Sequence, residues 1–215
     1  RKARAKQRLR DMAEELLPIA AQRATREAEP VAAPEGLWDE FCARFPYEET
    51  DDQRAAIDDV VADLGAGKPM DRLICGDVGF GKTEVALRAA FLVAMSGKQV
   101  AVVAPTTLLC RQHFRTFSER FRGLPVKVRQ LSRLVTAKDA NETKQGLEAG
   151  TVEVVVGTHA LLSKTVKFAD LGLMIIDEEQ HFGVKHKERL KDLRAEVHAL
   201  TLSATPIPRT LRSEE

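Results

Sequence analysis

Short apolar runs alternate with amphipathic segments along most of this chain. The runs rich in Val, Ile, Leu and Ala predict six strands, at 72–75, 99–104, 126–131, 152–156, 172–176 and 197–202. Periodic apolar positions between them predict helices at 82–96, 107–121, 137–149 and 186–195. Several strands are apolar at nearly every position, which is typical of strands buried on both faces. The alternation predicts an α/β fold with a mainly parallel sheet and helices on both faces.

The N-terminal part follows a different pattern. Residues 1–28 are rich in Ala, Arg, Lys, Glu and Leu and predict one long helix. The segment EPVAAPEG at 29–36 predicts a linker, because Pro and Gly interrupt regular structure. The chain begins in the middle of this helix without a start signal, so we expect it to be part of a longer protein. We therefore divide it into a linking helix and linker at 1–36 and a domain at 37–215.

One further helix is predicted before the first strand. Thr50 and Gln53 have the spacing of a capping box, in which each side chain bonds the backbone of the other. Apolar residues follow at helical spacing from Ile57 to Leu64, and glycines end the helix.

A glycine-rich segment between the first predicted strand and the helix at 82–96 matches the phosphate-binding pattern G-x-x-x-x-G-K-[ST]. Its residues are Gly76, Asp77, Val78, Gly79, Phe80, Gly81, Lys82 and Thr83. Backbone N–H groups of such a loop and the N-terminus of the following helix attract phosphate oxygens. Lys82 can reach the β- and γ-phosphates of a nucleotide, and the Thr83 hydroxyl can bind Mg²⁺. The pattern therefore predicts a nucleoside triphosphate site. The alternative, an ordinary glycine-rich turn, would not need a strand before it and a helix after it.

An acidic pair follows a predicted strand 95 residues after Lys82. Asp177 and Glu178 come directly after the apolar run LMII. Ligands of open α/β sheets bind beyond the carboxyl ends of the strands, so this pair is expected beside the phosphate loop. Asp177 is the candidate for completing the Mg²⁺ coordination with Thr83, and Glu178 for orienting the attacking water. On its own, the pair could equally be a solvated acidic turn.

Composition narrows the class of protein. The chain has 215 residues, 33 basic against 32 acidic residues, a net charge of +1 and 44% hydrophobic residues, which together exclude an intrinsically disordered protein. No apolar run approaches the roughly 18 residues of a membrane helix. The three cysteines, Cys42, Cys75 and Cys110, form no CxxC pair, so we expect neither a zinc site nor a disulfide framework. This use of cysteine predicts a cytoplasmic setting. From Thr107 to Arg133 there are seven basic residues and one acidic residue, which allows a nucleic-acid surface despite the neutral total.

Five segments, in order, resemble motifs I, Ia, Ib, II and III of superfamily 2 helicases. They are GDVGFGKTEVALRAAF, APTTLLCRQHF, GTHALL, DEEQHFGVKHKER and SATPIPRT. The resemblance covers about residues 37–210 and is strongest to the bacterial transcription-repair coupling factor family. A related family of helicases that reverse replication forks shares part of it. The resemblance implies a RecA-like P-loop NTPase lobe that uses ATP and Mg²⁺.

The same resemblance assigns roles to individual residues. Lys82 and Glu178 would be catalytic, Thr83 and Asp177 would bind the metal, and the loop at 76–83 would bind the phosphates. Gln53 and Phe45 would contact adenine, although the capping box competes for the Gln53 amide. The implied DNA contacts are Thr106, Thr107, Arg111, Gly157, Thr158 and His159. The residues expected to couple the nucleotide to DNA are Gln180, His181, Ser203 and Thr205.

The resemblance also implies a function. The chain would be the first motor lobe of a translocase on double-stranded DNA, which displaces stalled RNA polymerase and recruits excision-repair proteins through the full-length protein. A second lobe would supply arginine fingers, so the chain alone is expected to hydrolyse ATP poorly. Two alternatives remain open, a docking module that does not act as a motor and a fork-reversing helicase lobe. A P-loop kinase is disfavoured, because no segment resembles an acceptor site or a lid.

Overall fold

Six parallel strands form one sheet through the centre of the protein. This computed structural model describes residues 7, 21–32, 34–77 and 81–204. The strands are β1 (Asp71–Cys75), β2 (Gln99–Val103), β3 (Val128–Leu131), β4 (Val154–Gly157), β5 (Leu171–Asp177) and β6 (His198–Ser203). Their order across the sheet is β1-β6-β5-β2-β4-β3, and every neighbouring pair is parallel. The predicted parallel α/β sheet is confirmed.

Four helices lie between the strands much as the apolar periodicity predicts, and two more precede the first strand, of which the pattern does not predict the one at 37–43. They are α1 (Leu37–Ala43), α2 (Asp51–Gly65), α3 (Lys82–Met95), α4 (Thr107–Arg120), α5 (Ala137–Ala149) and α6 (Val184–Arg194). Two short 3₁₀ turns occur at His159–Leu162 and Glu179–His181. β3 and β4 each begin two residues later than predicted, and α6 begins two residues earlier. Val126, for example, packs against the core but precedes the paired residues of β3. None of the helices in the described part of the chain has the length and apolar character needed to cross a membrane.

Alternate residues of the central strands supply two hydrophobic cores. On β2, Val100 and Val102 pack on one face with α1 to α4, while Ala101 and Val103 pack on the other face with α5 and α6. Helix α3 is buried along almost its whole length, which explains its apolar sequence. Because both faces are covered, the strands need apolar residues at every position. The carboxyl ends of the strands and the loops that follow are free of this packing and carry the predicted motifs.

The described end of the N-terminal helix is shorter than predicted. Residues 21–24 are helical and residue 25 is a turn, so the helix ends before the predicted position 28. The segment that follows is packed on the end of α2. The N–H of Ala28 donates to the carbonyl of Gly67 at 2.9 Å, and the N–H of Val31 donates to that of Leu64 at 3.0 Å. The division at residue 36 stays a prediction, and most residues before 21 lie outside the described part.

Arg23 holds the N-terminal part against the amino-terminal edge of the sheet, where His198 binds the backbone of Met70. The Arg23 guanidinium donates to the carbonyl of Met70 at 2.8 Å and to that of Val197 at 3.2 Å. Nδ1 of His198 accepts the N–H of Met70 at 2.8 Å. The His198 side chain is buried and must stay neutral to accept this bond.

This neutral histidine should make folding sensitive to acid. Burial lowers the pKa of His198, the charges of Arg23 and Lys98 lower it further, and Asp63 opposes them. Below pH of about 6.5 the unfolded chain therefore binds a proton at this residue that the folded chain does not, and stability falls by up to about 1.4 kcal/mol per pH unit towards the lowered pKa. The variant His198→Asn keeps an acceptor for Met70 but does not titrate there. Between pH 7.5 and 5.5, we expect it to lose about 1 kcal/mol less than wild type in urea unfolding.

The matched control is His181→Asn, because His181 is exposed. It should keep the wild-type pH dependence. Equal pH dependence of the wild type and His198→Asn would contradict this assignment.

Candidate functional site

The phosphate loop leaves β1 and enters α3 at the carboxyl edge of the sheet. Gly81 has φ of 79°, a left-handed conformation that favours glycine, and a Cβ atom there would also displace the amide of Gln53. Nζ of Lys82 donates to the carbonyls of Gly76 at 2.5 Å and Asp77 at 3.0 Å. The lysine therefore folds over its own loop. Val78, Gly79 and Phe80 lie outside the described residues.

The acidic pair ends β5, as the sequence predicts. Glu178 has φ of 48° and is the only non-glycine residue in the described ranges with a positive φ. One oxygen of its carboxylate accepts the N–H of Ala204 at 3.0 Å, and the other accepts the side-chain N–H of Gln180. The backbone turn and these two bonds direct Glu178 towards the end of β6.

The structure brings the loop and the acidic pair together. Lys82, Thr83, Asp177 and Glu178 line one cavity of about 410 Å³. A hydroxyl and carboxylates are the hard oxygen ligands that Mg²⁺ prefers. Across the described residues, no group of three or more His, Cys, Asp or Glu side chains could hold a metal ion. The donor set thus fits an ion that takes its remaining ligands from nucleotide phosphates and water, as Mg²⁺ usually does.

Among the lining residues of this cavity that sequence reasoning missed, His113 is in contact with the acidic pair. Nε2 of His113, on α4, lies 2.7 Å from Oδ2 of Asp177, and both side chains are buried. Its contact depends on β2 and β5 being neighbours, and no local pattern in RQHF indicates this. The third acid of the segment has a different role, because the carboxylate of Glu179 binds the guanidinium of Arg194 through two bonds of 3.1 and 2.7 Å.

Gln53 serves the capping box and also touches the phosphate loop. Its Oε1 accepts the N–H of Thr50 at 2.9 Å, and its own N–H donates to the Thr50 hydroxyl at 3.2 Å, which confirms the capping box. Its Nε2 lies over Gly81. A neighbouring cavity of about 510 Å³ is lined by Phe45 and Thr83 among others, but not by Gln53. The structure therefore places Phe45 beside the loop in an adjacent cavity, with Gln53 behind the loop. Their contact with adenine stays a prediction.

A buried ionic cluster forms part of the wall of this second cavity. The carboxylate of Glu84 binds the guanidinium groups of both Arg88 and Arg120, and Arg88 also binds Glu49 at 2.5 Å. The Arg120 guanidinium lies over the ring of Phe41, 4.6 Å from its centre. Arg120 thus belongs to the interior, although the sequence groups it with the basic stretch that allows a nucleic-acid surface.

The residues predicted to contact DNA gather in a third cavity of about 640 Å³. Thr106, Thr107, Thr158 and His159 line it. Arg133, which ends the basic stretch of the sequence, and Lys144, which sequence reasoning missed, add positive charge to its wall. Arg111 is exposed on α4 and does not line this groove.

Gly157 is at the end of β4 and has a packing role as well. A Cβ atom there would meet the carbonyl oxygen of Leu131 at 2.6 Å and the side chain of Leu161 at 2.5 Å. Close packing of β3, β4 and the following turn is therefore sufficient to require glycine at this position.

The predicted coupling residues lie around the end of β6. Ser203 is buried, and its carbonyl accepts the N–H of Gly76 at 3.1 Å, which joins motif III to the phosphate loop. Gln180 and His181 are exposed on the 3₁₀ turn after Glu178. Thr205 lies outside the described residues. Motif III thus touches both halves of the candidate nucleotide site, while its role in coupling stays a prediction.

Comparison with known proteins decides the family. Residues 50–213 match the family described as DEAD/DEAH box helicase. The chain belongs to this family. The DEAD/DEAH box helicase assignment confirms the resemblance to superfamily 2 helicases. The family also agrees with the fold, in which the predicted nucleotide motifs lie at the carboxyl edge of a parallel sheet.

This DEAD/DEAH box helicase chain has relatives named transcription-repair-coupling factor. That of Rickettsia prowazekii is 52% identical over 98% of this chain, and that of Haemophilus influenzae is 53% identical over 97%. They confirm the resemblance to that family, but the chain covers only 19% and 18% of their lengths, about a fifth. A solved structure of RecG bound to a three-way DNA junction matches with a TM-score of 0.77 and 36% identity, over 90% of this chain and 26% of that one.

Proposed function

We propose that this chain is the first motor lobe of an ATP-driven translocase on double-stranded DNA, of the transcription-repair coupling type. The observation that carries the proposal is the single cavity lined by Lys82, Thr83, Asp177 and Glu178. In it, the loop and Lys82 would hold the phosphates of ATP, Thr83 and Asp177 would hold Mg²⁺, and Glu178 would orient water. The bound Mg²⁺ would neutralise phosphate charge.

The groove lined by Thr106, Thr107, Thr158 and His159 supplies the DNA part of the proposal. Hydroxyl and backbone N–H groups at strand and helix ends suit phosphate contacts, which carry no base specificity, as a translocase requires. The Thr106 hydroxyl already caps α4 by accepting the N–H of Leu109 at 3.2 Å, so its own proton remains available as a donor. Arg133 and Lys144 would add affinity that falls steeply with salt.

The wider role belongs to a full-length protein. We propose that such a protein displaces stalled RNA polymerase and recruits excision-repair proteins, as the names of the relatives suggest. A second lobe would supply the arginine fingers, so the isolated chain would hydrolyse ATP poorly. The three unpaired cysteines support a cytoplasmic setting.

The direct test uses a fluorescent ATP analogue and duplex DNA with the 215-residue chain. The wild type should bind the analogue in the presence of Mg²⁺, and Lys82→Ala should weaken binding by about 100-fold because it removes the cation that pairs the phosphates. The matched control is Lys68→Ala, since Lys68 lies in the turn after α2 and outside the three cavities. DNA binding that ignores the nucleotide, together with no DNA stimulation of ATP turnover in the full-length protein, would favour a docking module.

The similarity to RecG favours one second candidate, a fork-reversing helicase lobe. The two candidates differ in the DNA that stimulates turnover. A full-length coupling translocase should respond to unbranched duplex and release stalled RNA polymerase, whereas a fork-reversing enzyme should require a branched junction.

A further inference from the structure

The buried contact between His113 and Asp177 joins the segments APTTLLCRQHF and DEEQHFGVKHKER, and no role is assigned to His113 above. The two side chains come from different elements, α4 and the end of β5, and are 8% exposed each. Their 2.7 Å separation joins Nε2 of the imidazole to Oδ2 of the carboxylate. We propose that His113 is a positioning residue that fixes the carboxylate of Asp177 for a nucleotide-bound Mg²⁺ ion. This proposal rests on the proposed nucleotide site.

The chemistry of the pair fixes which atom carries the proton. An ionised carboxylate only accepts hydrogen bonds, so Nε2 of His113 must carry hydrogen and donate to Oδ2 of Asp177. The second oxygen, Oδ1, is then the one that can face an ion or its water ligands. Rotation of the carboxylate would break a bond to a charged acceptor in a buried place, where such bonds are strongest.

The imidazole is itself held in place. Its ring meets the ring of Phe117 edge to face, with centres 6.5 Å apart and planes at 82°. Phe117 is fully buried in the core between α4 and the sheet. The side chains of His113 and Asp177 are therefore both held in the interior. A residue that orients a metal ligand must itself be fixed in this way.

Helix α4 connects this contact with the candidate DNA groove. Thr106 and Thr107 at its N-terminus line that groove, and His113 follows six residues later, about 9 Å along the helix axis. A helix is stiff over this length, so a displacement of its N-terminus would reach the carboxylate of Asp177 through one side chain. One helix therefore carries both the threonines of the groove and the residue that binds Asp177.

The test measures metal affinity rather than turnover. The 215-residue chain is titrated with Mg²⁺ at a fixed concentration of a fluorescent ATP analogue, and binding of the analogue is also measured in EDTA. His113→Phe keeps the ring but removes the N–H group, and His113→Gln keeps an N–H donor. We expect His113→Phe to raise the half-saturating Mg²⁺ concentration by about tenfold or more, with unchanged affinity in EDTA. His113→Gln should restore most of the loss.

Two further measurements separate positioning from packing. His186→Phe, a change of a partly buried histidine on α6, is the matched control and should leave the Mg²⁺ titration unchanged. Thermal melting checks that each variant is folded. An unchanged Mg²⁺ titration in His113→Phe would overturn the proposal, as would equal losses in the Phe and Gln variants. Failure of the wild type to bind the analogue at all would instead overturn the proposed nucleotide site, and this inference with it.

Discussion

Replacing Glu178 by glutamine should reduce ATP turnover by about 10³-fold in a full-length protein that carries this chain, while leaving the affinity for MgATP within about threefold. Glutamine has the shape of glutamate but cannot take a proton from water. Its amide oxygen can still accept the N–H of Ala204, which the carboxylate binds at 3.0 Å, and the change costs only the exposed bond that the other carboxylate oxygen accepts from Gln180. The structure of the loop should therefore persist, and the loss should fall on the chemical step.

The neighbouring acid provides the control for this prediction. Glu179→Gln also removes one negative charge, only one residue further along the chain. Because the Glu179 carboxylate binds Arg194 rather than lining the nucleotide cavity, its replacement should change stability more than turnover. Steady-state turnover and equilibrium binding of a fluorescent analogue, measured on both variants, test this. Equal losses of turnover in the two variants, or normal turnover in Glu178→Gln, would contradict the role assigned to Glu178.

The parts of the site that the sequence predicts are those that depend on local order. The phosphate loop lies between a strand and a helix that are adjacent in the chain, and Asp177 ends a strand whose apolar run is visible. That both lie at the same edge of the sheet follows from parallel pairing alone. The capping box of Thr50 and Gln53 is likewise confined to four residues, and the structure confirms it.

The parts that the sequence does not predict depend on the order of strands across the sheet. His113 reaches Asp177 because β2 and β5 are neighbours, although 67 residues lie between the end of β2 at Val103 and the start of β5 at Leu171. Nothing in either segment indicates this pairing. Arg120 illustrates the same limit. In the sequence it belongs to a basic stretch that allows a solvated helix face, but the fold brings it against Glu84 and Phe41.

Glu84→Ala should lower the free energy of unfolding by about 3–5 kcal/mol. The Glu84 side chain is 3% exposed and accepts bonds from Arg88 at 2.9 Å and Arg120 at 3.1 Å. Without the Glu84 carboxylate, the two largely buried guanidinium groups lose a negative charge that offsets their desolvation. Arg88 would keep Glu49, and Arg120 would keep the carbonyl of Phe41, so the loss should lie near the lower end of that range.

Glu119→Ala is the matched control for this stability prediction. Glu119 also pairs with an arginine four residues away in a helix, but the side chains of Arg115 and Glu119 are 81% and 55% exposed. An exposed pair of this kind contributes little, so the change should stay within about 0.5 kcal/mol. Urea unfolding measures the free energy of unfolding of both alanine variants. Glu84→Gln, which keeps a neutral acceptor, is measured alongside them. Both carboxylates pair with an arginine four residues away, but only that of Glu84 is buried and binds a second arginine. Equal losses in the two alanine variants would therefore contradict the importance assigned to the buried Glu84 cluster.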